Sequence, residues 1–561
     1  MAETEGLLVK LRSSGNRGFA AAKSLGEFEP ILEVPRGTAD AFGLASPDPA
    51  VWVRVDAGGD AWDRAHHMMA RGFAADGNEV LAAEPDMAEQ WPMWERETEA
   101  PCQRAGQSGK GGKAVGKPEG WHLRDEFSGL RSARGEVSAE DQAKVTVVHL
   151  DTGYDPQHVT CPRNIDAGRQ RNFTREGKPD SAIDVTPTGG LLNSRGHGPG
   201  TIGILAGAEP AAPIGGYDDE IGGAPDVAVI PVRIANSVVR LSTGTVARGF
   251  GYAADCAADI VSMSMGGLAS AAVADAVNLC YDKGIVMVTA AGNFVRKGRL
   301  SSPRSIVYPA RMRRVLAATG VMADGNAYYG LAAGELQGCH GPDSKMDTAL
   351  AGWTPNILWP ELGCTDVIDH DGAGTSSSTA QVAAAAALWI ANYRAKLAKY
   401  PEAWMKGEAV RQALMRSARK TTARLDKVEV REMLGAGALD ARAALAAWPL
   451  AAGKLEKAPV ASASWAWLRL LTGRGVGVAA AALAPRERML ELEILQIAGT
   501  EQVEPELRDI GSDPEAEDVS DKQRRRYLET VRDSGLASNS LRHAIDRALG
   551  VRTPSLRKVK T

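Results

Sequence analysis

The chain lacks a basic, apolar leader. Its start, MAETEGLLVKLRSSGNRG, has no positively charged segment running into an apolar core, so no secretory signal peptide is expected. It also lacks a long apolar run. The best stretch, Trp465 to Ala484, is broken by Arg469 and Arg474, and no membrane-spanning helix is expected. The six cysteines, at 102, 161, 256, 280, 339 and 364, include no C-x-x-C pair. That scatter argues against a disulfide frame or a zinc site and for free thiols in a reducing compartment, hence a cytoplasmic location. Strong charge of either sign is missing as well. A formal net charge of −4 over 561 residues gives nucleic acid or an anionic membrane no electrostatic reason to bind. Aromatics make up only 5% of the chain while glycine contributes 61 residues, a composition suited to close packing of helices on a sheet.

What is present changes character along the chain. Residues 1–102 read as a small α/β domain. VWVRVD (Val51 to Asp56) alternates as a strand, AWDRAHHMMARGF (Ala61 to Phe73) has a helical period, and EVLAAEPD (Glu79 to Asp86) is a second apolar strand. His66 and His67 are adjacent on that helix and face different directions, which is no arrangement for a metal. Residues 103–120 form a Gly- and Lys-rich linker, open to proteases by composition. Residues 121–447 alternate strands with helix-length segments, the pattern of a doubly wound, mostly parallel sheet flanked by helices. Residues 448–561 form a partly helical extension with an acidic linker, Glu501 to Asp521, and a mixed-charge helical end that could recruit a protein partner.

Within the long α/β part, polar residues stand where strands end or helices begin. KVTVVHLDTGYD is a near-continuous apolar strand ending in Asp151, and the carboxyl ends of strands in an open parallel sheet are where ligands and catalytic groups collect. SRGHGPGTIGILAG sets His197 in a glycine-flanked turn before a helix, with Pro199 suited to the first turn. A positive helix end favours neutral imidazole, the form a general base needs. GIVMVTAAGN places Asn293 just past another buried strand. DGAGTSSSTAQVAAAAALWIANY carries Ser376 from a Gly-rich turn into an Ala-rich helix, where unpaired first-turn N–H groups would stabilise an oxyanion.

Taken in order, Asp151, His197 and Ser376 follow the sequence Asp…His…Ser, and the segment from about Trp121 to Ala447 resembles the subtilisin family of serine peptidases. The resemblance rests on VVHLDTGYD, GHGPGTIGILAG, GAPDVAVIPVRI, TAAGN, GTSSSTAQVAAAAALW and GAGALDARAAL. It implies Ser376 as nucleophile, His197 as general base and acid, Asp151 as the orienting carboxylate, and Asn293 with the Ser376 N–H as oxyanion donors. It further implies that Ser264, Met265, Gly266, Ala290, Ala291 and Gly292 wall the substrate groove, with Phe294 and Val307 at the S1 pocket. No acid occurs there, so small or apolar P1 residues are favoured. Two departures stand out: Ala380 replaces the family's proline four residues after the nucleophile, and GPGT follows the histidine in place of the commoner GTHVAG.

The resemblance also makes residues 1–102 an inhibitory prodomain or a vestigial domain, with a permanently attached domain as the alternative. No cofactor is required. Calcium, a stabiliser in the family, has only DHDG (Asp369 to Gly372) as a local hint. An aspartic peptidase would need a second DTG beside Asp151-Thr152-Gly153, and the chain has one. The functional expectation is a regulated intracellular endopeptidase acting on proteins or peptides. Its rival is a catalytically silent binding or scaffold protein acting through its terminal extensions.

Overall fold

The computed structural model of the chain describes residues 3–12, 28–41, 48–56, 60–71, 79–90, 120–184, 196–214, 217–238, 240–295, 305–332, 334–462, 484–500, 503 and 520–551. The Gly/Lys linker up to residue 119, residues 465–483 of the apolar stretch and most of the acidic segment 501–521 lie outside them. Two compact units divide the chain, one comprising Met1–Ala88, Leu268–Ala274 and Ser462–Thr561, the other Glu89–Gly267 and Asp275–Ala461.

In the first unit, β1 (Glu3–Arg12), β2 (Phe28–Val34), β3 (Ala50–Val55) and β4 (Glu79–Gln90) pair antiparallel in the order β2-β3-β1-β4, and α1 (Ala61–Arg71) packs on β1. The alternation in VWVRVD suggests one wet face, yet every residue of β3 is buried. Arg54 tolerates this because its guanidinium donates to Asp86 Oδ2 at 2.6 Å and to Glu29 Oε2 at 3.0 Å.

The second unit carries the large sheet. Its strands are β5 (Thr146–Asp151), β6 (Arg171–Asn172), β7 (Ala228–Arg233), β9 (Ile260–Met263), β10 (Val286–Ala290), β12 (Leu316–Val321) and β14 (Ala349–Trp353), all parallel, in the order β14-β12-β10-β9-β5-β7-β6. Short β8 (Arg240–Ser242), the pair β11 (Asn293–Val295) with β13 (Leu336–Gly338), and the pair β15 (Ile357–Pro360) with β16 (Ile368–Gly372) lie outside that order. Strands β9, β10, β12 and β14 are buried along their whole length, which is why their sequences read as continuous apolar runs. From β5 the chain first lays down β6 and β7 on one side and then crosses to β9, β10, β12 and β14 on the other, so the end of β5 is the switch point of the sheet.

Helices α2 (Leu130–Glu136) and α3 (Ala139–Ala143) precede β5; α4 (His197–Ala206), α5 (Thr243–Asp255) and α6 (Ala271–Asp282) connect the strands. After α7 (Asp343–Met346) comes α8 (Gly374–Leu397), buried all round from Gly374 to Ala391 and lying against β9, β10, β12, β14 and α4. A helix with no wet face needs an apolar sequence on every side, and its alanines let it approach the sheet closely. At Gly352 of β14 even a methyl would be too much, since a Cβ there would stand 2.6 Å from Ser378 Cα. Helices α9 (Trp404–Ser417), α10 (Lys427–Leu434) and α11 (Ala441–Ala446) complete this unit. DHDG lies on strand β16, not in a loop. Among the described residues no cluster of three or more His, Cys, Asp or Glu could hold a metal ion.

The first unit is completed from the far end of the chain by α12 (Pro485–Gly499), α13 (Asp521–Asp533) and α14 (Asn539–Leu549). Glu493 of α12 is fully buried; its carboxylate meets His66 Nε2 of α1 at 2.6 Å and accepts from the Ser538 N–H at 2.6 Å and the Ser538 hydroxyl at 2.9 Å. Glu493→Leu would strand those buried polar groups, so it should destabilise this unit by about 3 kcal/mol. Limited proteolysis should then cut residues 1–88 and 485–549 markedly faster than in wild type, and equal resistance would refute that role for Glu493.

The cysteine expectation needs one correction. Cys161, Cys256, Cys280 and Cys339 are in no disulfide, but Cys364 is disulfide-bonded. Pairing depends on which Cα atoms the fold brings within reach, and sequence spacing in a long chain does not carry that. Among the described residues no helix is long and apolar enough to cross a membrane.

Candidate active site

Asp151 ends β5, a position that commits its side chain to the carboxyl end of the sheet while keeping it wholly buried. Its Oδ1 accepts from His197 Nδ1 at 2.7 Å and from the Thr152 N–H at 2.8 Å; its Oδ2 accepts from the Thr201 hydroxyl at 3.1 Å. Burial alone would raise its pKa. The charge and hydrogen bond of His197, the neighbouring His149 and the Thr152 N–H outweigh that and hold it below the usual carboxylate range.

His197 is the first residue of α4 itself, not a turn residue ahead of it. Gly196 precedes it at φ +72°, and a Cβ there would lie 2.8 Å from Leu362 Cβ, so this left-handed corner needs glycine. The GPGT departure has a packing reason. A Cβ on Gly200 would sit 1.8 Å from Trp359 Cε2, and the same indole stands edge-on to the His197 ring at 5.8 Å between centroids. Trp359 is a neighbour that the sequence motifs did not point to; the Gly in place of a larger residue in GPGT was the one available signal.

Ser376 lies in the first turn of α8, where backbone N–H groups have no partner within the helix. Its Oγ is 3.0 Å from His197 Nε2 and 3.0 Å from the Ser264 carbonyl, while the Ser264 hydroxyl donates back to the Ser376 carbonyl at 3.1 Å. The two neighbouring serines point elsewhere: Ser377 donates to Ala373 O at 3.1 Å and Ser378 to Gly352 O at 3.2 Å. Ala380 is a buried position within the same helix.

Asn293 opens β11 beside the same turn. Its Oδ1 accepts from the Thr375 N–H at 2.9 Å and the Thr375 hydroxyl at 3.1 Å, which leaves the amide N–H groups as the end that faces Gly374. Gly374, at φ +76°, could not carry a side chain: a Cβ would approach Asn293 Nδ2 to 2.8 Å. Thr375 is therefore the residue that orients Asn293, another partner the motifs did not single out.

The groove residues separate into those that converge and those that do not. Val307 is half-buried between two glycines; a Cβ on Gly266 would meet it at 2.2 Å and one on Gly292 at 3.0 Å. Ser264 reaches Ser376 as described. Met265, Ala290 and Ala291 are buried, so only their backbones could face a substrate, and the Ala291 carbonyl already accepts from the Val307 N–H at 3.0 Å. Phe294 is half-buried against Tyr329, with 6.2 Å between ring centroids.

The model of the subtilase family matches residues 142–437. Among curated relatives, subtilisin DY of Bacillus licheniformis is 28% identical over 217 residues, 38% of this chain and 73% of that protein. Thermitase of Thermoactinomyces vulgaris is 30% identical over 159 residues, 28% of this chain and 50% of its own length. The major intracellular serine protease of Bacillus subtilis (strain 168) is 28% identical over 183 residues, 32% of this chain and 51% of its own.

Proposed function

The chain belongs to the subtilase family of serine peptidases, and on that premise we propose that it is an endopeptidase whose reaction runs through Asp151, His197 and Ser376. The observation that carries this reading is the continuous chain of hydrogen bonds from Asp151 Oδ1 through His197 to Ser376 Oγ, at 2.7 and 3.0 Å. Ser376 Oγ attacks the scissile carbonyl as its proton passes to His197 Nε2. Buried, anionic Asp151 keeps the proton on Nδ1 and balances the imidazolium. The negative oxygen of the tetrahedral intermediate is met by Asn293 Nδ2 and the Ser376 N–H. His197 then gives its proton to the leaving amine, the acyl-enzyme forms, and water repeats the sequence to release the acid. No cofactor enters this scheme.

The substrates are proteins or peptides. Glycines at 266 and 292 beside Val307 support a groove in which the substrate main chain pairs as an added strand, with small or apolar P1 residues preferred. For residues 1–102, the buried His66–Glu493–Ser538 contacts support a permanently attached domain over a removable one. Two similar proteins named as intracellular serine proteases support a cytoplasmic location, whereas the disulfide at Cys364 favours an oxidising compartment. Alkylation of protein from its native cells, with and without reductant, separates the two. No observation favours a silent scaffold.

A fluorophosphonate label with intact-mass readout tests the central reading: wild type should gain one adduct on Ser376. An unlabelled wild type, also after cleavage in the linker, would end the enzyme reading. Asn293→Ala should lower kcat by roughly 100- to 1,000-fold with little change in KM, a magnitude taken from the equivalent change in subtilisin. A variant within threefold of wild type would remove Asn293 from the oxyanion site.

A further inference from the structure

Behind the carboxylate of Asp151 lies a second histidine that the reaction scheme does not use. His149 stands two residues before Asp151 on β5 and is almost wholly buried. Its Nε2 is 3.0 Å from the Thr201 hydroxyl, which in turn is 3.1 Å from Asp151 Oδ2. Among the described residues its Nδ1, which is buried, has no hydrogen-bond partner. A hydroxyl has one proton, and Thr201 has three acceptors within reach: Asp151 Oδ2, His197 O at 3.1 Å and Gly198 O at 3.3 Å. An N–H from His149 occupies a lone pair of that oxygen, and the anionic carboxylate is the strongest acceptor for its proton. The direction of the chain is therefore set: His149 donates to Thr201, and Thr201 donates to Asp151. An unpartnered buried nitrogen is a cost that a valine or leucine at the same place would not incur, so the polar pair needs a reason in what it does.

We propose that His149 is a positioning residue which, through Thr201, fixes the orientation of the Asp151 carboxylate and shares its negative charge. The proposal rests on the reading of Asp151, His197 and Ser376 as the reacting set. For the relay to work, His149 must be neutral. Burial first, and the nearby His197, push its pKa down to about 4 against the opposing pull of Asp151. Among the described residues Asp151 and His197 are the charged or titratable groups that act on it; its neighbours in register on β7 and β9, Pro231 and Ser262, carry no charge. When the relay is broken, Asp151 loses a donor and its field on His197 grows. Imidazolium is then favoured, and the acid limb of the kcat/KM profile moves to higher pH.

The test compares His149→Val, Thr201→Val, the double variant, and the conservative His149→Gln and Thr201→Ser, with wild type first shown to take the fluorophosphonate label. The two valine variants should each lower kcat by roughly 10- to 100-fold at near-constant KM, as small misplacements of reacting groups do. Each should raise the acid limb, and the double variant should be no worse than either single one. His149→Gln and Thr201→Ser should recover most of the loss; if His149→Val does not fold, Thr201→Val against Thr201→Ser makes the same comparison. Labelled wild type with valine variants of normal turnover, an unmoved acid limb, or multiplying effects would overturn the relay alone. An unlabelled wild type would overturn the underlying assignment and the relay with it.

Discussion

Ser376→Ala should abolish fluorophosphonate labelling and lower turnover of a peptide substrate about a million-fold, with substrate binding little changed. The magnitude is that known for subtilisin, not one derived from these distances. Its physical basis is that the only atom removed is the one that becomes the acyl ester. His197 can still accept a proton, and Asn293 and the residue-376 N–H still face the carbonyl oxygen, so a remnant of rate above water should persist. His197→Ala should cost about as much, and the double variant scarcely more, because neither group has a task without the other. Three consecutive serines make this a stringent experiment. Ser377 and Ser378 are bonded to Ala373 O and Gly352 O within the packing of α8, so neither can substitute for Ser376. Activity above about one per cent of wild type in Ser376→Ala would mean that another group is the nucleophile. The fold should be unaffected, since the lost contact to Ser264 O is a neutral hydrogen bond worth about 1 kcal/mol.

The sheet was legible because its strands are buried on both faces. IVSM in β9 and VMVTA in β10 have no polar alternation to confuse with a surface strand, and each is bounded by Gly, Asp or Asn at the sheet edge. The windows around Asp151, His197 and Ser376 were legible for the same reason: they are polar or small interruptions at the ends of apolar elements. Partners brought in from elsewhere were not. Thr375 is adjacent to Ser376, but that it turns Asn293 follows only from where β11 begins. Trp359 announces itself only as a missing side chain at Gly200. His149 sits inside an apolar run, where a histidine reads as a tolerated exception until Thr201 is found beside it. The association of α1 with α12 and α14 was out of reach, because His66 and Glu493 are 427 residues apart and each looks like an ordinary surface residue of an amphipathic helix. Cys364 failed in the same way, as a contact that spacing cannot express.

Asp151→Asn should lower kcat by up to about ten-thousand-fold at neutral pH while leaving KM nearly unchanged, the upper bound being the loss known in a serine-protease triad where the imidazole also takes the wrong tautomer. The variant should fold, since an amide of the same shape replaces a carboxylate that is 0% exposed. Two donors, His197 Nδ1 at 2.7 Å and the Thr152 N–H at 2.8 Å, converge on Oδ1, whereas among the described residues Thr201 is the hydrogen-bond donor to Oδ2. The amide oxygen should therefore take the Oδ1 place and its NH2 should face Thr201, which can turn its proton to His197 O instead. Orientation of the imidazole is then largely kept, and what disappears is the negative charge. Imidazolium loses its counter-charge, so the acid limb of kcat/KM should move to lower pH. That is opposite in sign to the shift expected when His149 or Thr201 is replaced by valine, where the charge remains and only its sharing is lost. The two substitutions thus separate the field of Asp151 from its positioning. An Asp151→Asn enzyme within tenfold of wild type, with Ser376 still labelled, would show that the buried carboxylate holds the fold and takes no part in the proton transfer.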